Sequence, residues 1–121
     1  MTLKTVRTAL LEYAEEKYHT QPDYPWSRFP QTIVLRHAGS RKWYALITSV
    51  SRHKLGLDSD SDVDIINIKC PSELTGSLRQ STGYLPAWHM NKEHWITVLL
   101  DGSVPITEIQ HFIDQSFLLT V

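Results

Sequence analysis

From Tyr84 to Leu100 the chain carries period-two patterning on either side of a short polar interruption, Met90-Asn91-Lys92-Glu93. This commits it to two adjacent antiparallel strands, because β-branched and aromatic residues at that spacing favour a pleated surface and oppose a helix. A four-residue turn sets His89 opposite His94 and Trp88 opposite Trp95, with Asn91 suited to the positive-φ position. Directly opposed residues share a sheet face, so Leu85, Ala87, Ile96 and Val98 form an aliphatic face that meets helices. Tyr84, Pro86, Trp88, Trp95 and Thr97 fall on the other, open side. A slip of one residue would exchange the faces.

The remaining elements follow from the same patterns. Leu3, Val6, Leu10, Tyr13 and Lys17 recur at helical spacing with Thr2 placed to cap, which predicts a helix over 2–18. Residues 21–30 hold Pro22, Pro25 and Pro30 and form no regular structure, with Tyr24, Trp26 and Phe29 pinning the segment over the core. Thr32 to His37 and Lys42 to Val50 read as a hairpin around Ala38-Gly39-Ser40, and Asp62 to Cys70 as a third strand. Pro71, Glu73, Leu74 and Leu78 suit a short helix ending near Gly83. Ile106, Ile109, Ile113 and Phe117 line the apolar stripe of a last helix. The expectation is an α+β fold, a two-layer sandwich of an antiparallel five-stranded sheet with helices on one face, in the order α-β(3)-α-β(2)-α.

At 121 residues the chain is long enough for one core and too short for two, so residues 1–121 are expected to form a single domain. No stretch approaches the roughly 20 apolar residues that cross a bilayer, so no membrane partner and a cytoplasmic location are expected. Cys70 is the only cysteine, which excludes an internal disulfide and a cysteine-based zinc cage.

Net charge is −1, yet the charge is unevenly spread. No carboxylate lies between Asp23 and Asp58, whereas Arg28, Arg36, Arg41, Lys42, Arg52 and Lys54 do, and Asp58, Asp60, Asp62 and Asp64 follow at once. A basic section beside an acidic one points to a polarised surface; charge that merely blunts sheet edges is the plainer account. The Asp run does not make an EF-hand, because Val63 stands where the loop needs Gly and Lys69 where it needs a bidentate Glu.

The segments Lys42-Trp43-Tyr44-Ala45-Leu46, Ile66-Asn67-Ile68-Lys69-Cys70 and Gly76-Ser77-Leu78-Arg79 carry a resemblance over nearly the whole chain. Above all, so does His89-Met90-Asn91-Lys92-Glu93-His94-Trp95 with Leu100-Asp101-Gly102. In these the sequence resembles the MmcQ/YjbR-like family of small bacterial cytoplasmic proteins. The resemblance implies the α-β(3)-α-β(2)-α order, related to frataxin-like and secretion-chaperone-like folds, and DNA binding. Its signature positions here are His89, Met90, Asn91, Lys92, His94, Trp95, Asp101 and Gly102.

Three kinds of function fit these residues. A DNA or single-stranded nucleic-acid binder would stack bases on Trp88 and Trp95 and follow the phosphates with Arg36, Arg41, Lys42, Arg52, Lys54 and Lys92. A protein-interaction or chaperone-like domain, or a homodimer, would cover the same aromatic face without catalysis. An enzyme around His89, His94 and Asp101 would need a concave pocket, and no nucleophile elbow, Cys-His pair or phosphate loop accompanies them. His89 and His94 with His111 or Glu93 would offer metal donors, but no spacing fixes a third ligand; ring nitrogens satisfied by backbone groups or Asp101 are the plainer account. The expected site is therefore one for nucleic acid, with no catalytic residue, no metal and no cofactor.

Overall fold

The computed structural model describes residues 4–121. Its elements are α1 (Val6–Tyr18), β1 (Ile33–Arg36), β2 (Trp43–Ser51), a 3₁₀ turn (Arg52–Leu55), β3 (Asp62–Lys69), α2 (Ser72–Leu78), β4 (Tyr84–Pro86), β5 (Trp95–Leu99) and α3 (Ile106–Leu119). The strands pair antiparallel in the order β1-β2-β3-β5-β4. The expected α+β order and the helices packed on one face of a five-stranded sheet are found. No helix among the described residues is long and apolar enough to cross a membrane.

The expected Thr2 cap lies outside the described residues. Thr5 caps α1, its hydroxyl accepting the Thr8 N–H at 3.1 Å. Leu10 and Ala14 of α1, with Ile109 and Ile113 of α3, are fully buried against Ile47, Ile66, Ile68, Ile96 and Val98 on the helix side of the sheet. One irregularity adds an aromatic to this core. Leu35 faces Ala45 but Arg36 faces Trp43, leaving Tyr44 as the extra residue of a bulge. Its ring is buried against Tyr18, His37 and Phe117, and its hydroxyl is bonded to that of Thr20.

The β4–β5 register departs from the sequence expectation. Tyr84 pairs with Val98, Leu85 with Thr97 and Pro86 with Ile96, one residue away from the pairing that a four-residue turn would set. Pro86 has no N–H for the ladder, and β4 stops there. The chain then crosses to Trp95 through residues 87–94, and the positive φ falls on His89 (55°), not Asn91. Asn91 instead makes an Asx turn, its side-chain oxygen accepting the Glu93 N–H at 2.8 Å. Tyr84 therefore joins the helix-side core, edge-on to Phe112 with its hydroxyl donating to Glu108. Leu85 moves to the opposite face, in a second cluster with Val50, Val63, Ile65 and Leu99. For β5 the expected faces hold: Ile96 and Val98 meet the helices.

Candidate nucleic-acid interface

On the sheet face opposite the helices, a groove of about 700 Å³ runs along β2. Leu46, Thr48 and Val50 form its floor, Trp26 and Phe29 one wall, and Trp88, His89 and Met90 the other, with Trp43 near one end and Lys54 and Asp62 at the far one. The Pro-rich segment is not pinned over the core by its aromatics as expected. Asp23 bridges to Val34 on β1, and beyond that anchor Tyr24, Trp26 and Phe29 remain 55%, 39% and 62% exposed. A segment with three prolines cannot extend the sheet, so it leaves its aromatics beside the groove. The Trp26 ring meets Trp43 edge-on at 5.7 Å.

Trp88 is placed by a closed ring of hydrogen bonds. Its N–H donates to the Thr97 hydroxyl at 2.8 Å, the Thr97 hydroxyl donates to the Asn67 side-chain oxygen, and the Asn67 amide returns to the Trp88 carbonyl at 2.8 Å. Asn67 and Thr97 are both fully buried. Their side chains thus replace the strand ladder that Pro86 ended, and every polar atom in the ring has a partner. The His89 ring lies against Trp88 with centroids 4.2 Å apart.

Two smaller depressions adjoin the groove. One, of about 460 Å³, is lined by Lys54, Leu85, Trp88, His89 and Lys92, and the other, of about 390 Å³, by Lys42, Trp43, Lys69 and Trp95 with Leu119 and Thr120 at the end of α3. Of the basic residues singled out in the sequence, Lys54, Lys92 and Lys42 line these concavities. Arg36, Arg41 and Arg52 have protein partners. Arg36 donates to Asp23 at 2.8 Å and lies 5.4 Å over the Trp43 ring. Arg41, at φ 64°, stands 3.9 Å from the same Asp23. Arg52 donates to the Ser61 hydroxyl at 2.8 Å and to the Asp62 carbonyl at 3.1 Å, tying down the acidic loop. Asp23, at the edge of the carboxylate-free stretch, thus has two of its cations beside it, Arg36 half-buried and Arg41 exposed.

The histidine pair does not converge on Asp101. His94 is 3.9 Å from Glu93, both exposed, and His89 faces Trp88. Asp101 accepts the Ser103 N–H and hydroxyl at 3.0 and 2.6 Å, beside Gly102 at φ 93°. Burial pushes its carboxyl up, but the Ser103 bonds outweigh that and hold its pKa below the usual value. The signature residues here build loops. Among the described residues no group of three or more His, Cys, Asp or Glu side chains is placed to hold a metal ion.

Sequence reasoning missed Trp26, Phe29 and Trp43 as groove residues, Lys69 as part of the adjoining depression, and Asn67 and Thr97 as supports. Asn67 carried a signal: it is a lone amide among Ile65, Ile66 and Ile68, on the face away from the helices. The two Pro-segment aromatics carried none, because their position depends on the Asp23–Val34 bridge.

A protein-family model described as YjbR matches residues 15–119. The chain is 46% identical over 114 residues to a Bacillus subtilis protein described as uncharacterised protein YyaQ, covering 94% of this chain and 97% of that one. The similarly described Escherichia coli protein YjbR is 42% identical over 53 residues, 43% of this chain and 45% of its own. A crystal structure of a Pseudomonas syringae protein superposes with a TM-score of 0.93 at 49% identity, covering 95% of this chain and 98% of the other. A Deinococcus radiodurans protein assigned to the domain family DUF419 superposes with a TM-score of 0.70 at 28% identity over 96% of this chain and 78% of that one.

Proposed function

The chain belongs to the YjbR family, and from the chemistry of its open sheet face we propose that it binds nucleic acid there. The observation that supports this most is the joining of an aromatic groove to a lysine-lined depression through Trp88, which is common to the groove and to the depression holding Lys54 and Lys92. Aromatic platforms take bases at about 1–3 kcal/mol each, and exposed lysines follow phosphates by counterion release. A platform held by buried hydrogen bonds also loses little freedom when a base settles on it. The proposal assigns binding and no catalytic step.

Fluorescence anisotropy with labelled oligonucleotides at low salt tests the reading. Binding that weakens steeply as salt is raised, and that Trp88→Ala reduces by about tenfold or more, is the expected result. Absence of binding to any oligonucleotide at low salt would overturn it. A second reading, an apolar protein segment seated in the groove, is favoured by the exposure of Trp26 and Phe29. It requires binding that salt barely changes.

A further inference from the structure

We propose that the nucleic acid taken by this face is single-stranded and lies along β2, with its bases in the groove and its backbone held by lysines at both ends; this rests on the nucleic-acid reading above. The groove along β2 is the track, and each depression shares a wall with it. Trp43 lines both the groove and the depression of Lys42 and Lys69, while Lys54, Trp88 and His89 line both the groove and the opposite depression. β2 has nine residues, and at about 3.3 Å per residue the track it underlies is on the order of 27 Å long. That length suits a strand of roughly four nucleotides, the low end of site sizes on small β platforms.

The distribution of chemistry along the track selects the strandedness. Its middle is apolar and aromatic, with Leu46 and Val50 below and Trp26, Phe29 and Trp88 at the sides. Its cations stand at the two ends, Lys54 just past the end of β2 and Lys42 with Lys69 at its start, while Lys92 lies beyond Trp88 on a turn bonded to Trp95. An apolar groove with aromatic walls between two cationic ends complements unstacked bases flanked by phosphates. In a duplex each base face is covered by its neighbours and only base edges reach the grooves, so the aromatic walls would find nothing to stack on. The Asp62 carboxylate in the groove opposes a phosphate on its floor and leaves the backbone to the Lys54–Lys92 rim.

The test measures affinity at low salt for labelled (dT)12, the matching (rU)12 and a 12-base-pair DNA duplex. A single strand, DNA or RNA, bound at least about tenfold more tightly than the duplex, with quenching of tryptophan fluorescence, is expected. The two single-stranded probes report which sugar is preferred. Lys42→Glu and Lys54→Glu stand at opposite ends on exposed side chains, and each should weaken single-strand binding several-fold with unchanged thermal stability. Equal or tighter duplex binding, or sensitivity at one end only, overturns the single-strand track and leaves the nucleic-acid reading standing. Binding of none of the three probes overturns the reading itself.

Discussion

Asn67 is a polar side chain without exposure, and all its hydrogen-bonding capacity toward the open face goes to two neighbours, Thr97 and the Trp88 carbonyl. Asn67→Ala strands the Trp88 carbonyl and removes the acceptor for the Thr97 hydroxyl. A buried group left without its partner costs about 1–3 kcal/mol, so urea unfolding should show a loss of that size, and tryptophan emission should shift as Trp88 is released. A variant with wild-type stability and unchanged emission would show that the ring of bonds does not hold Trp88. This detail was only half legible in the sequence. An amide inside an isoleucine-rich strand signals a required partner, but the partner is a backbone group 21 residues away, and no local pattern points to it.

Between elements, α1 and α3 are joined at one carboxylate. Asp114 accepts from the Tyr13 hydroxyl at 2.8 Å, the Tyr18 hydroxyl at 2.5 Å and Lys17 at 2.9 Å. Partial burial pushes the Asp114 carboxyl up, but these three donors outweigh it and hold its pKa below the usual value. A carboxylate lowered in the folded state adds stability above its unfolded pKa of about 4 and loses it as pH falls through the folded pKa. Asp114→Asn should therefore cost about 1–3 kcal/mol at neutral pH and progressively less in acid. A stability difference that stays constant between pH 7 and pH 3 would refute the assignment.

The link after α2 has its own constraint. Gly83 sits at φ 91°, and a Cβ there would lie 2.4 Å from the Val104 side chain. Gly83→Ala should lower stability by about 1–3 kcal/mol or more, since left-handed strain and a steric clash add, read as a drop in melting temperature. Gly83 was expected to take the left-handed conformation near the end of the short helix, and it does. The bounds of β1, β2 and β3 were legible to within about a residue because turn-forming residues bracket runs of β-branched and aromatic residues. The β4–β5 register was not, because Pro86 ends the ladder and side chains take over from backbone, which no alternation of residues encodes.

For the whole molecule, the formal charge of −1 hides a division of labour among its cations. Arg36, Arg41 and Arg52 are turned to carboxylates, hydroxyls or carbonyls, whereas Lys42, Lys54, Lys69 and Lys92 border the track. If those four lysines neutralise phosphates, the logarithm of single-strand affinity should fall with the logarithm of salt concentration at a slope of about −3. Lys54→Ala should reduce that slope by about 0.7. A slope near zero would point to an apolar occupant. The basic stretch was visible in the sequence; which of its members face outward was not, because that depends on where Asp23 and Ser61 come to rest.

The two borders of the sheet have a consequence for how the protein behaves when crowded. At one border the Asp23 backbone bonds Val34 in both directions, N–H to carbonyl, at 3.1 and 2.9 Å, so part of β1 is already occupied. At the other, β4 is three residues long and closes on Pro86. A neighbouring molecule seeking to add a strand meets an occupied position on one side and a short, proline-ended one on the other. Concentrated preparations should for that reason resist ordered cross-β assembly while the native fold persists.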